Sequence, residues 1–255
     1  MKLLQITDPH LYGRADGRLR GVETDSSLRY VLDRALAEFP DYAALLVTGD
    51  LAQEDAGGYL RFRSICQNLQ APVLCIPGNH DEPAAMAREL NSAPFQLCGA
   101  RSIGAWRFVM LDSCAAGEVG GRISAAELDR LDAELAGSAA HTMVCLHHHP
   151  VAMGSRWLDS IGLANAGDFW RIIDAHAHVR GVAWGHVHQA FDGRRGGVRL
   201  FATPSTGAQF LPASDGFAVD TRPPAYRHFE LHPDGRIESQ VHWLEAMPAQ
   251  QAAAR

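Results

Sequence analysis

The sequence predicts an α/β protein whose strands are covered on both faces. Three observations carry that reading. Short apolar runs recur along the chain, helix-period segments separate many of them, and polar residues interrupt the chain where the apolar runs end. The 255 residues suffice for a sizeable core, and 47% hydrophobic with 20% charged residues is an ordinary globular balance.

The elements follow in order. Apolar runs at 3–7 (LLQIT), 44–49 (ALLVTG), 72–78 (PVLCIPG), 107–112 (RFVMLD), 142–147 (TMVCLH) and 181–186 (GVAWGH) read as buried strands. With Thr24 or Ser26 as N-cap, Leu28, Val31, Leu32, Ala35 and Leu36 form one helical face. Pro83 suits the first turn of a helix over PAAMARELN. Ser124 with Glu127 fits a capping box ahead of Leu128, Leu131 and Leu135, and 166–177 is a further helix. From 198 the pattern turns to strands, 198–205 and 225–243, with HPDGR (232–236) as a hairpin turn. No repeat or linker is visible. Residues 1–245 are expected to form a single domain, with 246–255 a disordered tail.

Charge and composition narrow the function. A net charge of −6 and a pI of 6.1 argue against a nucleic-acid or anionic-membrane partner. Five cysteines without a C-x-x-C pair suggest reduced, buried thiols and no zinc-thiolate site. The N-terminus lacks a signal peptide's apolar run, and no stretch approaches the roughly 18 apolar residues of a membrane span, so a cytoplasmic location is expected.

The chemistry lies where strands end. Asp8 and His10 follow the first run, Asp50 the second, and Asn79 and His80 the third; His147, then His186 and His188, follow later ones. In α/β sheets, ligands gather beyond the carboxyl ends of strands. Alone, DPH (8–10) is a weak signal, although i, i+2 spacing on extended chain aims both side chains to one side. TGD (48–50) reads locally as a tight turn. GNHD (78–81) and GHVH (185–188) are stronger, because each pairs a glycine with two metal-capable side chains or imidazoles.

Together, D-x-H, G-D, G-N-H-D, a strand ending in His and G-H-x-H resemble the calcineurin-like metallophosphoesterases, from Leu3 to about Leu244. The resemblance implies a four-layer α/β/β/α sandwich of two mixed sheets flanked by helices, with a two-metal centre at one sheet edge. It implies one ion on Asp8, His10, Asp50 and His188, and a second on Asp50, Asn79, His186 and His147. Oxygen and imidazole donors suit Fe or Mn, with Zn or Co as alternatives. Of the run HHH, His148 is expected to point away and to be the replacement of least effect. His149, held extended before Pro150, is a candidate pocket wall. His80 is implied to contact the phosphoryl oxygen and to protonate the leaving group, with Asp81 orienting its ring or capping the next helix. His10, Asp50, Asn79, His80 and His188 would also face substrate, and Asp50 and His80 would carry catalysis. His141, His176, His178, His228, His232 and His242 read as non-ligating.

Departures narrow the class. GDLAQEDAGG (49–58) has Gln53 where the family's protein phosphatases have a second Asp, and lacks their Arg. The stretches LQITDPHLYG (4–13), TGDLAQ (48–53), LHHHPVAMGSRWLD (146–159), GHVHQ (185–189) and FATPSTGAQF (201–210) resemble the bacterial class III 3′,5′-cyclic-AMP phosphodiesterases. The middle residue of DPH departs from the Thr or Ser common there. This resemblance implies hydrolysis of cyclic AMP to 5′-AMP by in-line attack of a metal-bridging hydroxide. The expected partner is a small cyclic nucleotide, with no nucleic acid and no membrane. The 201–210 stretch would wall the site, or is simply a Pro-containing strand end. Trp157 or Phe210 could stack an adenine, although each also reads as a packed aromatic. Two alternatives stand beside this reading: a relative acting on a 2′,3′-cyclic nucleotide, a glycerophosphodiester or a small monoester, and a metal-binding scaffold without turnover.

Overall fold

The structure is a computed structural model that describes residues 1–245; the tail expected at 246–255 lies outside the described residues. Strand periodicity explains its layers. Along Lys2–Ile6, Leu3 packs to one side while Leu4 and Ile6 pack to the other. Along Ala44–Thr48, Ala44 and Leu46 separate in the same way from Leu45 and Val47. Strands buried on both faces lie between two apolar layers.

The first sheet runs Ile237–Trp243, Ala225–Leu231, Lys2–Ile6, Ala44–Thr48, Val73–Ile76, Phe95–Leu97 from edge to edge. Its last four strands are mutually parallel and the first two are antiparallel additions. The second runs Phe191–Arg195, Val198–Ala202, Val179–Trp184, His141–Cys145, Trp106–Met110, Gly99–Ile103, with the inner four parallel. Between the sheets, Leu3, Leu46 and Leu74 meet Phe108, Met143 and Phe201. Helices Thr24–Glu38, Gly57–Cys66 and Pro83–Glu89 cover the outer face of the first sheet through Leu28, Val31, Phe62 and Met86. Ala125–Ala136 and Ala166–Ala175 cover the second through Leu131, Leu135, Phe169 and Ile173. The four-layer α/β/β/α arrangement of two mixed sheets is the one expected.

Local details differ. Thr24 is the first helical residue and Glu23 the N-cap, so neither Thr24 nor Ser26 caps; the Ser26 hydroxyl instead donates to Glu23 at 2.6 Å. The capping box at Ser124 is half formed. Ser124 Oγ accepts from Glu127 N–H, but the Glu127 carboxylate turns to Asp112 N–H and Arg130. The HPDGR turn closes as expected, with Gly235 at φ 87° and His232 N–H donating to Arg236 O.

Polar bridges tie the sheets together. The Gln5 amide donates to Thr48 Oγ1 and Trp184 O and accepts from the Thr203 hydroxyl. Arg227, fully buried on Ala225–Leu231, donates across to the Asp192 carboxylate and to the Phe191 and Ala202 carbonyls. Such partners offset the cost of burying its charge. Among the described residues, no helix is long and apolar enough to cross a membrane.

Candidate metal centre

The carboxyl ends of five parallel strands deliver Asp8, Asp50, Asn79, His147 and His186 to one edge of the sandwich. The extended backbone assumed for DPH is not what brings these side chains together. Among the described residues nine non-glycine residues have positive φ, and five of them are Asp8, His10, Asp50, His186 and His188. The left-handed turns fold each exit loop back over the sheet edge, where backbone bonds such as Asp8 N–H to Gly49 O and His10 N–H to Asp50 O hold it. Gly49 belongs to the same turn at φ 101°, and a Cβ there would run into the His147 ring.

The buried donors form two overlapping groups about Asp50. On one side His188 Nε2 lies 3.2 Å from Asp8 Oδ1 and from His10 Nε2, and His10 Nε2 lies 3.7 Å from Asp50 Oδ2. On the other, His147 Nε2 lies 3.4 Å from Asp50 Oδ2 and 3.2 Å from Asn79 Oδ1. Three imidazoles have their outer nitrogen committed to a backbone carbonyl: His147 Nδ1 to Thr48, His186 Nε2 to Ile161 and His188 Nδ1 to Ala208. A carbonyl accepts only, so each of those nitrogens carries the proton and the other presents a lone pair inward. At His147 and His188 that inward nitrogen faces carboxylate or amide oxygens at contact distance, an arrangement that a bound cation would satisfy; His186 groups with His147 and His148. The donor set fits metal ions of the oxygen- and imidazole-preferring kind.

The electrostatics agree. Burial pushes the Asp50 carboxyl up, but His147 and His10 beside it hold it well below the usual carboxylate range. Burial pulls His147 down, and the Asp50 carboxylate, with Asp8 behind it, more than reverses this to about 9. Burial alone dominates at His10, lowered to about 4, and at His186, lowered well below its ordinary value. In the absence of metal a proton occupies the His147–Asp50 contact.

A sequence model of the calcineurin-like phosphoesterases matches residues 1–190. This chain belongs to that family. It is 39% identical to a 3′,5′-cyclic adenosine monophosphate phosphodiesterase, CpdA, of Pseudomonas aeruginosa, over 94% of this chain and 88% of the relative. It is 37% identical to CpdA of Escherichia coli K12 over 96% and 90%. A dimetal phosphatase from Danio rerio shares the fold, with a TM-score of 0.61 at 15% identity over 95% of this chain and 98% of that one. The calcineurin-like phosphoesterases use a dinuclear centre, and this chain is a metal-dependent hydrolase of that kind.

In this phosphoesterase His80 stands at the mouth of the cradle, a ring nitrogen within 4.8 Å of donor atoms of His10 and Asp50. Its Nδ1 meets Gln53 Nε2 and Glu54 Oε1, each at 3.1 Å. Asp81 neither orients the His80 ring nor caps a helix. Glu82 is the N-cap of Pro83–Glu89, and the Asp81 carboxylate accepts from Leu51, Ala52 and Gly78 N–H and from the Tyr59 hydroxyl. It clips the loop after Asp50 to the loop before His80, using backbone donors that left it no reach to the ring. In the sequence Gln53 reads only as a departure from the family's protein phosphatases, and its contact with His80 is not anticipated. Glu54, at φ 50°, gives no sequence signal.

The three adjacent histidines separate in space. His147 faces Asp50. The chain bends after Cys145, so His148 does not point away; its ring lies 4.9 Å from that of His147 and 4.7 Å from that of His186. Its nitrogens are taken by Ser113 Oγ and Val119 O, and burial lowers it to about 3. His149 stacks on His186 at 5.7 Å and lines a neighbouring cleft with Val119 and Asp159. The stretch 201–210 does wall the site: Ser205 Oγ donates to Asp8 O, Ala208 O accepts from His188, and Phe210 stacks on the His188 ring at 4.0 Å. A cavity of about 200 Å³ joins these donors to Trp157, Phe210 and Phe217.

Proposed function

We propose that the chain hydrolyses 3′,5′-cyclic AMP to 5′-AMP at this centre. The observation that carries the reading is Asp50, whose carboxylate lies between His10 on one side and His147 on the other, in a chain 37–39% identical to cyclic-AMP phosphodiesterases over nearly its whole length. Asp8, His10, Asp50 and His188 would hold one ion, and Asp50, Asn79, His147 and His186 the other. Bound there, Fe or Mn would activate water at neutral pH and neutralise charge building on the phosphate oxygens.

The chain's own residues do the rest. Asn79 and His80 line the cavity at the cradle mouth, where an amide and an imidazole can donate to phosphate oxygens. As the cation, His80 donates Nδ1–H to Glu54 and keeps Nε2–H for the departing 3′ oxygen; the neutral ring left behind stays bonded to Glu54. Glu54 fixes the ring's rotation, and Asp81 fixes the loop that carries it.

Protein reconstituted with Mn²⁺ or Fe²⁺ should convert cyclic AMP to 5′-AMP, identified by chromatography, faster than 2′,3′-cyclic AMP or glycerophosphodiesters. Cyclic AMP left intact while bis(p-nitrophenyl) phosphate is cleaved would overturn the substrate and leave the diesterase. His80→Ala should keep both ions and lose about 10²–10⁴-fold in turnover, as for a general acid. Loss of an ion instead would make His80 a ligand.

A further inference from the structure

Part of the cavity lining is not used by the phosphate chemistry. Phe210, stacked on His188, begins an apolar stretch of the lining that Trp157 and Phe217 continue, and Leu19 and Arg20 complete it. The three aromatic rings meet edge to face, with centroids 5.2–5.3 Å apart. Phe217 is nevertheless 46% exposed, and Val119, 54% exposed, lies across the same cavity. Large apolar side chains open to solvent around a pocket mouth mark a surface that a ligand covers.

Arg20 is the second observation. It stands at the tip of a two-residue turn between Arg18–Leu19 and Val22–Glu23, with φ 51° at Arg20 and 84° at Gly21. That turn favours Asn-Gly or Asp-Gly, because both central residues take positive φ. An arginine there is strained, and its guanidinium lies 4.6 Å from the Phe217 ring centroid. The hairpin thus holds a flat cation over a flat aromatic face at the open end of the active-site cavity.

We propose that Arg20 and Phe217 form a clamp for the nucleobase, backed by Trp157 and Phe210. A base offers two π faces, which stack on aromatic rings and guanidinium planes alike. The assignment rests on the cyclic-nucleotide reading of the site, in which the donors take the phosphate and leave the aromatic lining for the base. Arg20 is tied to a turn rather than to the metal cradle, so it can shift to admit the base and settle over it.

Calorimetric titration of Mn²⁺-reconstituted protein with 5′-AMP and with ribose 5-phosphate tests this. In the unaltered protein 5′-AMP should bind about 5- to 150-fold more tightly, the range of one stacked base. Phe217→Ala and Arg20→Ala should bring the ratio toward one, chiefly by weakening 5′-AMP. Arg20→Asn should do the same while raising the thermal midpoint, because Asn suits the turn; a purely structural arginine would not separate the two readouts. A ratio near one in the unaltered protein, or equal weakening of both ligands, overturns the clamp. A preserved ratio in a protein that leaves cyclic AMP intact supports the clamp and overturns the substrate reading.

Discussion

His147, His148 and His149 are consecutive and all buried, and what distinguishes them is the partner each ring nitrogen finds. His147 is set between the Thr48 carbonyl and the Asp50 carboxylate, His148 between the Ser113 hydroxyl and the Val119 carbonyl, and His149 has no hydrogen-bond partner. Residue type alone showed that a donor was needed here, but alternation of side chains failed because the chain bends. His148 was expected to point away, whereas its ring is buried and bonded to Ser113 and Val119, so its replacement should affect stability. His147→Ala should lose one of two ions by elemental analysis. His148→Ala should keep both and lose about 2–4 kcal/mol in urea unfolding, because it removes the buried acceptor of the Ser113 hydroxyl and leaves a void. An unchanged urea midpoint would refute the second role.

The exit loops are the elements under most strain. A left-handed residue costs about 1–2 kcal/mol, so five of them rival the about 5–15 kcal/mol net stability of a domain. Backbone bonds recover part, and bound ions would recover more. An ion at a thousandfold its Kd adds about 4 kcal/mol, worth about 8–16 °C at this chain length. Chelation followed by differential scanning calorimetry should show a drop of that order. Binding also has a pH signature. His147, at about 9 without metal, is protonated at pH 7 and must release that proton, whereas His10 and His186 are already neutral. Metal uptake near pH 7 should release about one proton, and affinity should fall about tenfold per unit as pH drops. Titrations in buffers of different ionisation enthalpy check it; no released proton would contradict the His147–Asp50 contact.

The layered architecture was legible because its central strands are apolar on both faces and end in polar side chains at one edge. The edge strands Gly99–Ile103 and Phe191–Arg195 carry no apolar run, since each faces solvent in part. Helix Gly57–Cys66 opens on two glycines and buries few large side chains, so its period is faint. At the site the donors were legible by chemistry, while the carbonyls of Thr48, Ile161 and Ala208 were not, because backbone groups leave no mark on sequence. Acid should unfold the metal-free molecule early. Burial lowers His10 to about 4, His148 to about 3, His149 to about 4, and His186 well below its ordinary value. The unfolded chain therefore binds more protons below about pH 6.5, and stability falls as pH drops from there toward 4, by up to about 1.4 kcal/mol per unit for each group. Urea midpoints flat between pH 6.5 and 5 would contradict this. Arg227 has a mechanical meaning. Asp8, Asp50 and Asn79 hang from one sheet, and His147, His186 and His188 from the other. Sliding one plate over its neighbour by an ångström would misalign the two halves of the cradle. Arg227, anchored in one plate and bonded into the other, acts as a shear pin that holds the two halves of the cradle in register.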